Sequence, residues 1–255
     1  MENLKTVLKQ LKDCGCSGIK ISYEDEGALL NEMITMRYLT ALTGLELCVK
    51  IGGCEAKRDI VDCINISCNS IVAPMVESGF ALNKFSKAVK QYNYLGEKGF
   101  NLETINGYNN LDEISSNFEL IDYVTVGRVD FVSSLQKDRA YVNDEKMYEM
   151  VSNIFTTVKK YNKKCYLGGA ISIDSKDFIK KLVQNDLLDK FETRYIMFDT
   201  KRINIDELEK LLYLANVFEV EWLKFISERY HLLFNKDTER IKMIEERLRN
   251  NNINK

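Results

Sequence analysis

The chain has 255 residues, of which 45% are apolar and 29% charged, with a formal net charge of -2. That is the composition of a globular protein long enough to bury a full core. The near-neutral charge gives no support to a nucleic-acid-binding face, which would be strongly basic, and no apolar run reaches the length of a membrane span.

The N-terminal stretch MENLKTVLKQLKDCGCSG is charged and amphipathic and lacks the apolar block of a secretion signal. The seven cysteines are an odd number, form no CxxC pair and lie mostly in apolar segments. They read as free thiols of a reducing cytosol rather than as a disulfide frame or zinc site, so a cytoplasmic protein is expected.

Met1–Cys14 reads as a helix, with Leu4, Val7, Leu8 and Leu11 on one face. Strands are expected at Ile19–Tyr23, Leu47–Ile51, Ser70–Val76, at the start of Phe100–Asp130, and at Tyr123–Gly127, Cys165–Leu167 and Tyr195–Phe198. Helices fall between them, over Ala28 to about Leu42, Glu55–Ile64, Ala81–Gln91, Asp144–Tyr161 and Ser172–Leu187. A long helical stretch, Ile205–Leu233, and a separate charged helix, Asp237–Arg249, close the chain. Seven strands alternating with helices argue a parallel sheet and, at this length, a (β/α) barrel of the TIM type over residues 1-204. Residues 205-255 then form C-terminal helices that pack on the barrel or on a neighbouring subunit. A doubly wound open sheet is the alternative. The chain has neither a GxGxxG nor a GxxxxGKS/T loop, which leaves a nucleotide-binding version with little support.

What ends each strand carries the functional signal. The strand ends read Glu24/Asp25, Lys50, Glu77, Glu103, Arg128/Asp130, Gly168-Gly169 and Asp199. Charge at one or two strand ends is simply solvated, but charged groups or glycines at all seven suggest the face where barrels keep their active sites. In Phe100–Asp130, two parallel strands joined by a helix put Glu103 and Asp130 at the same edge, a carboxylate pair suited to a hard divalent cation. Gly52-Gly53 and Gly168-Gly169 serve as turns and would also let backbone approach a ligand. Lys50 alternates with apolar Val49 and Ile51, which projects it into a barrel. The stripe Phe218, Trp222, Phe225, Ile226 and Tyr230 reads as core or subunit interface. FETR, residues 192–194 with Phe191, precedes the last strand and is expected at the opposite face.

Taken in order, GIKISYEDEG, VKIGGCEAKRDI, IVAPMVES, LETINGYNNLDEI and IDYVTVGRVDFVSSL resemble the HpcH/HpaI aldolase and citrate lyase β-subunit family, from about Gly18 to Asp199. The resemblance implies a barrel related to the phosphoenolpyruvate/pyruvate-binding enzymes. It also implies a divalent-metal-dependent (Mg2+ or Mn2+) carbon–carbon lyase or aldolase that makes or uses a pyruvate-type enolate. Carried over by position, Glu103 and Asp130 match the metal ligands, and the Gly127–Asp130 turn matches the loop that holds the substrate carboxylate. Lys50 falls where the family has a carbonyl-polarising arginine, and Asp25 falls near its proton-transfer histidine.

The Lys50 and Asp25 positions are departures. Lysine lacks a bidentate fork, which Arg128 could supply. The chain's single histidine, His231, lies in the C-terminal helix, leaving proton transfer to a metal-bound water or to a carboxylate among Glu24, Asp25, Glu26 and Glu77. A third departure is that the chain begins with a helix where the family begins with a strand, so a seven-stranded or gapped barrel, or one whose missing place a partner segment fills, is expected. The expected catalytic residues are Lys50, Arg128, Glu24 and Asp25, with Gly127, Arg128, Gly52 and Glu77 binding substrate. The expected substrate is a small carboxylate, a 2-keto acid or acyl thioester, and a homo-oligomer is expected. The competing readings are a non-catalytic barrel subunit or small-acid-binding protein, and a phosphoenolpyruvate-utilising relative.

Overall fold

Residues 1–251 are described by the structure, a computed structural model. Eight strands alternate with helices: β1 (Cys16–Ser22), β2 (Glu46–Lys50), β3 (Ser70–Ala73), β4 (Glu97–Leu102), β5 (Tyr123–Gly127), β6 (Lys164–Gly168), β7 (Lys190–Glu192) and β8 (Ile196–Asp199). The helices are α1 (Glu2–Asp13), α2 (Leu30–Thr43), α3 (Lys57–Asn65), α4 (Gly79–Gln91), α5 (Ile105–Asn109), α6 (Leu111–Ser115), α7 (Arg128–Ser134), α8 (Glu145–Lys160), α9 (Lys176–Gln184) and α10 (Leu208–Asn251).

The strands close into a barrel in sequence order. Strands β1 to β7 run parallel, with Ser22 beside Lys50, Lys50 beside Val72 and Gly127 beside Gly168. The last strand turns back: β8 is antiparallel both to β7 and to β1. The barrel therefore has eight strands and no gap, although the chain starts with α1. The strand missing from the sequence reading is β7, three residues long, which pairs parallel to β6 through Leu167 and Phe191.

Reversal of β8 corrects two expectations. Its C-terminal residue, Asp199, lies at the base of the barrel, where its N–H donates to the Gly15 carbonyl at 3.4 Å. Glu192 and Arg194, expected at the opposite face, stand instead at the C-terminal ends of the strands.

Strand alternation divides the residues between two cores. Ile19, Ile21, Leu47, Val49, Ile51, Phe100 and Val124 point outward and pack against the helices. The lower barrel interior is filled by Cys48, Val72, Tyr123, Tyr166 and Met197, with the two tyrosine rings stacked at a centroid distance of 4.5 Å. Helix α1 buries Leu4, Val7, Leu8 and Leu11 as its periodicity predicts.

The two expected C-terminal helices are one continuous helix of 44 residues. Its first turns bury Leu208, Leu211, Ala215, Phe218 and Trp222 at three- and four-residue spacing. Further along, α10 is tied to α2 by Tyr230 donating to Glu32 at 2.6 Å and Arg229 to Thr35 at 3.2 Å. Among the described residues no helix is long and apolar enough to cross a membrane.

Candidate active site

Above the Tyr123–Tyr166 layer the barrel interior becomes polar. The inward parity that places Cys48 in the lower layer puts Lys50 two residues higher, and the same rule sends Asn101 inward from β4. A cavity of about 540 Å3 opens there. Its lining includes four cationic side chains, Lys20, Lys50, Arg139 and Arg194, and six carboxylic ones, Asp25, Glu26, Glu103, Asp130, Glu192 and Glu219.

Glu103, which follows β4, is 2% exposed. Its Oε1 accepts from the Met75 N–H at 3.0 Å and lies 3.8 Å from Lys50 Nζ; its Oε2 accepts from Asn101 Nδ2 at 2.9 Å. Met75 presents that N–H from a left-handed backbone conformation, φ 51°, a costly geometry for a side-chain-bearing residue. Burial raises the Glu103 carboxyl above its ordinary pKa, partly offset by Lys50 and the two hydrogen bonds and reinforced by nearby Asp130. Gly127 is required beside it, because a Cβ there would stand 2.5 Å from Glu103 Oε2.

Lys50 is 5% exposed and donates to Asp25 Oδ2 at 2.9 Å. On the neighbouring wall Lys20 donates to Glu192. Burial pushes the Lys20 ammonium down, and the Glu192 carboxylate more than compensates, so its net shift is upward. Arg194, from the β7–β8 turn, places Nε 3.3 Å from Glu26 Oε1 and donates to the Asp25 carbonyl at 3.3 Å.

The expected site residues therefore divide. Lys50, Asp25, Gly127, Glu103 and Asp130 are brought together at the cavity. Glu24, Gly52 and Glu77 lie outside it. Glu24 is exposed, the Gly52 N–H donates to Asp59 at 2.7 Å, and Glu77 accepts from Thr104 at 2.6 Å, at the start of α5.

Arg128 is the clearest correction, since its side chain is fully buried and turned away from the cavity. Nε donates to Gly168 O at 3.4 Å; one terminal nitrogen donates to Val142 O at 3.0 Å and Asn143 Oδ1 at 2.8 Å, the other to Gly169 O at 3.0 Å and Ser175 Oγ at 3.3 Å. That is the whole donor set of a guanidinium, and it leaves no fork for a substrate carboxylate. The group also lies 4.8 Å from the Phe178 ring centroid, and burial lowers its pKa to about 10. Arg128 therefore anchors the Gly168-Gly169 turn that forms one wall of the cavity.

Sequence reading missed Lys20, Asn101 and Glu192 as cavity residues. Lys20 had a signal, since it alternates with Ile19 and Ile21 as Lys50 does with its neighbours. Asn101 also had one, lying two residues before Glu103.

Do these residues fit a divalent cation? Among the described residues no group of three or more His, Cys, Asp or Glu side chains is arranged to hold a metal. The donor set is instead the two carboxylates Glu103 and Asp130, whose hard oxygens suit Mg2+ or Mn2+ and leave positions for water and substrate. The lining carries two more carboxylates than cations, and Asn101 Oδ1 is buried without a partner. More carboxyl groups than cationic ones and an orphaned amide oxygen at the same cavity fit a dication.

No protein-family model matches the sequence, and no curated protein matches it. Solved structures do resemble the chain. A variant of the citrate synthase SbnG shares 15% identity over 85% of this chain and 89% of its own, with a TM-score of 0.59. An HpcH/HpaI aldolase/citrate lyase family protein from Burkholderia cenocepacia shares 11% over 69% and 80%, with a TM-score of 0.58. RipC from Yersinia pestis shares 12% over 78% and 87%, with a TM-score of 0.51. The structural neighbours thus include the family that the sequence motifs resemble. At these identities the likeness establishes the fold, a TIM-type barrel with a long C-terminal helix.

Proposed function

We propose that the chain is a cytoplasmic, divalent-metal-dependent carbon–carbon lyase or aldolase that forms or uses a pyruvate-type enolate from a 2-keto acid or related carboxylate. The observation that carries this reading is the meeting of Glu103 and Asp130, from the ends of adjacent strands, in one cavity with the Lys50 ammonium 3.8 Å from Glu103. Glu103 and Asp130 would hold Mg2+ or Mn2+, which when bound acts as a Lewis acid on the substrate carbonyl. Lys50 supplies a fixed positive charge where an enolate oxygen develops, and Asp25 holds the ammonium in place. Gly127 leaves room for the Glu103 carboxylate, and Arg128 fixes the facing turn. Leu232, Leu233 and Phe234, exposed on distal α10, offer the apolar surface for the homo-oligomer that this reading includes.

Titrating Mn2+ against Glu103→Gln and Asp130→Asn tests the assignment. Each variant should stay folded and lose the high-affinity site; wild-type affinity in both would sink it. Lys50→Met should retain the ion while slowing turnover by about 10²-fold, the usual loss for one electrostatic stabiliser.

A second reading, a barrel that binds a small acid without transforming it, draws on the Lys50–Asp25 ion pair, which already neutralises the ammonium. It predicts carboxylate binding with no metal-dependent proton exchange.

A further inference from the structure

We propose that Glu26 is the acid–base residue that moves the proton in this cavity, facing Asp130 across the barrel mouth; the inference rests on the enolate reading above. Glu26 follows β1 and Asp130 follows β5, and in a closed eight-strand barrel the first and fifth strands are diametrically opposed. The one histidine, His231, is exposed on α10 with its ring against Asn235, outside the cavity lining. That leaves a metal-bound water or a carboxylate to carry the proton, and the surroundings of the cavity's carboxylates single out Glu26.

Of the carboxylates at the cavity, Asp25 is held by Lys50, Glu192 by Lys20, and Glu103 by Met75, Asn101 and Lys50. Asp130 pairs with Glu103 in the metal assignment, and Glu219 reaches the cavity from α10, outside the ring of strands. Glu26 is different. Its side chain is 7% exposed, Oε1 faces the half-exposed Arg194 at 3.3 Å, and Oε2 is buried with no partner.

Glu26 also lines a second cavity, of about 330 Å3, whose wall includes Trp222, Ile226 and Tyr230. It is the partition between the two cavities. The titratable groups around it are Lys20 on β1, Asp25 beside it, Arg194 and Tyr195 from the β7–β8 turn, Glu32 from α2, and Glu219 and Tyr230 from α10. Burial raises the carboxyl above its ordinary pKa despite Lys20 and Arg194, toward the range where a general base works best.

The step is a balanced proton transfer. A Glu26 oxygen takes a proton from the carbon next to the substrate carbonyl. The C–H pair becomes the second bond between the two carbons, and the carbonyl π pair moves to oxygen on the Lys50 side. Reversal returns a proton, or a deuteron after exchange with solvent. Arg194 is a positioning residue that lowers the basicity of Glu26.

The test uses Mn2+-loaded protein, with oxalate as a planar stand-in for the enolate and pyruvate methyl exchange in deuterium oxide as the readout. Glu26→Gln should bind Mn2+ and oxalate as the wild type does while exchange falls by about 10²-fold or more, and Glu26→Asp should recover part of it. Arg194→Met should shift the acid limb of the pH–rate profile to higher pH, because a cation beside the base has been removed. Wild-type exchange that persists in Glu26→Gln overturns the role of Glu26 alone, as does a slowed variant that has also lost oxalate. Failure of the wild type to exchange removes the enolate reading, and this proposal with it.

Discussion

At the residue scale, two buried charged groups make opposite claims on stability. Arg128 has no carboxylate partner, yet each of its donors is used, chiefly on backbone and side-chain oxygens around the Gly168-Gly169 turn. Arg128→Met would leave those buried acceptors unsatisfied, and we expect a loss of ~3 kcal/mol in denaturant unfolding; a loss near zero would mean that the turn holds itself. Glu26 acts the other way. Its folded pKa is raised by burial, so its contribution to stability is complete below the unfolded value, about 4.3, and is lost as pH rises through the folded value. With chelator present, Glu26→Gln should therefore gain melting temperature relative to wild type as the pH is raised from acid to neutral. A difference that stays constant would show that the folded carboxyl titrates normally.

At the element scale, alternation along single strands explains what could be read from sequence and what could not. Lys50 between Val49 and Ile51 pointed inward by parity, and Glu103 and Asp130 were visible because each follows a clear apolar run. The same parity places Tyr123, Thr125 and Gly127 on the inner face of β5 and turns Arg128 outward, a signal that the nearby Asp130 obscured. Strand β7 was not legible: three residues with no apolar run carry no periodicity, and only pairing with β6 and β8 defines them as a strand. The reversal of β8 was hidden for a related reason. A short apolar run does not encode its direction; the hairpin through Thr193 does, and that depends on non-local hydrogen bonds. At the β5–α7 junction, where a Cβ on Gly127 would crowd Glu103 Oε2 at 2.5 Å, Gly127→Ala should displace the carboxylate. We expect Mn2+ affinity to drop with little change in melting temperature; unchanged affinity would show that Glu103 is not fixed by this contact.

At the scale of the whole molecule, the barrel separates its tasks by height. Stacked tyrosines and small apolar groups fill the lower interior, and Lys20, Lys50, Asn101, Glu103 and Glu192 are held above them. The burial that makes these charged groups costly also strengthens their fields on anything bound among them. Closure by β7 and β8 brings Glu192 and Arg194 to the same mouth as Glu103, so the departure from an all-parallel barrel contributes to the candidate site. The central claim is that this mouth forms an enolate with a divalent cation held by Glu103 and Asp130. Deuterium exchange into the methyl group of pyruvate, followed by NMR with and without Mn2+, tests it most directly. The account predicts exchange that requires the metal and disappears in Glu103→Gln. Exchange that ignores the metal, or none with any divalent ion, would contradict it.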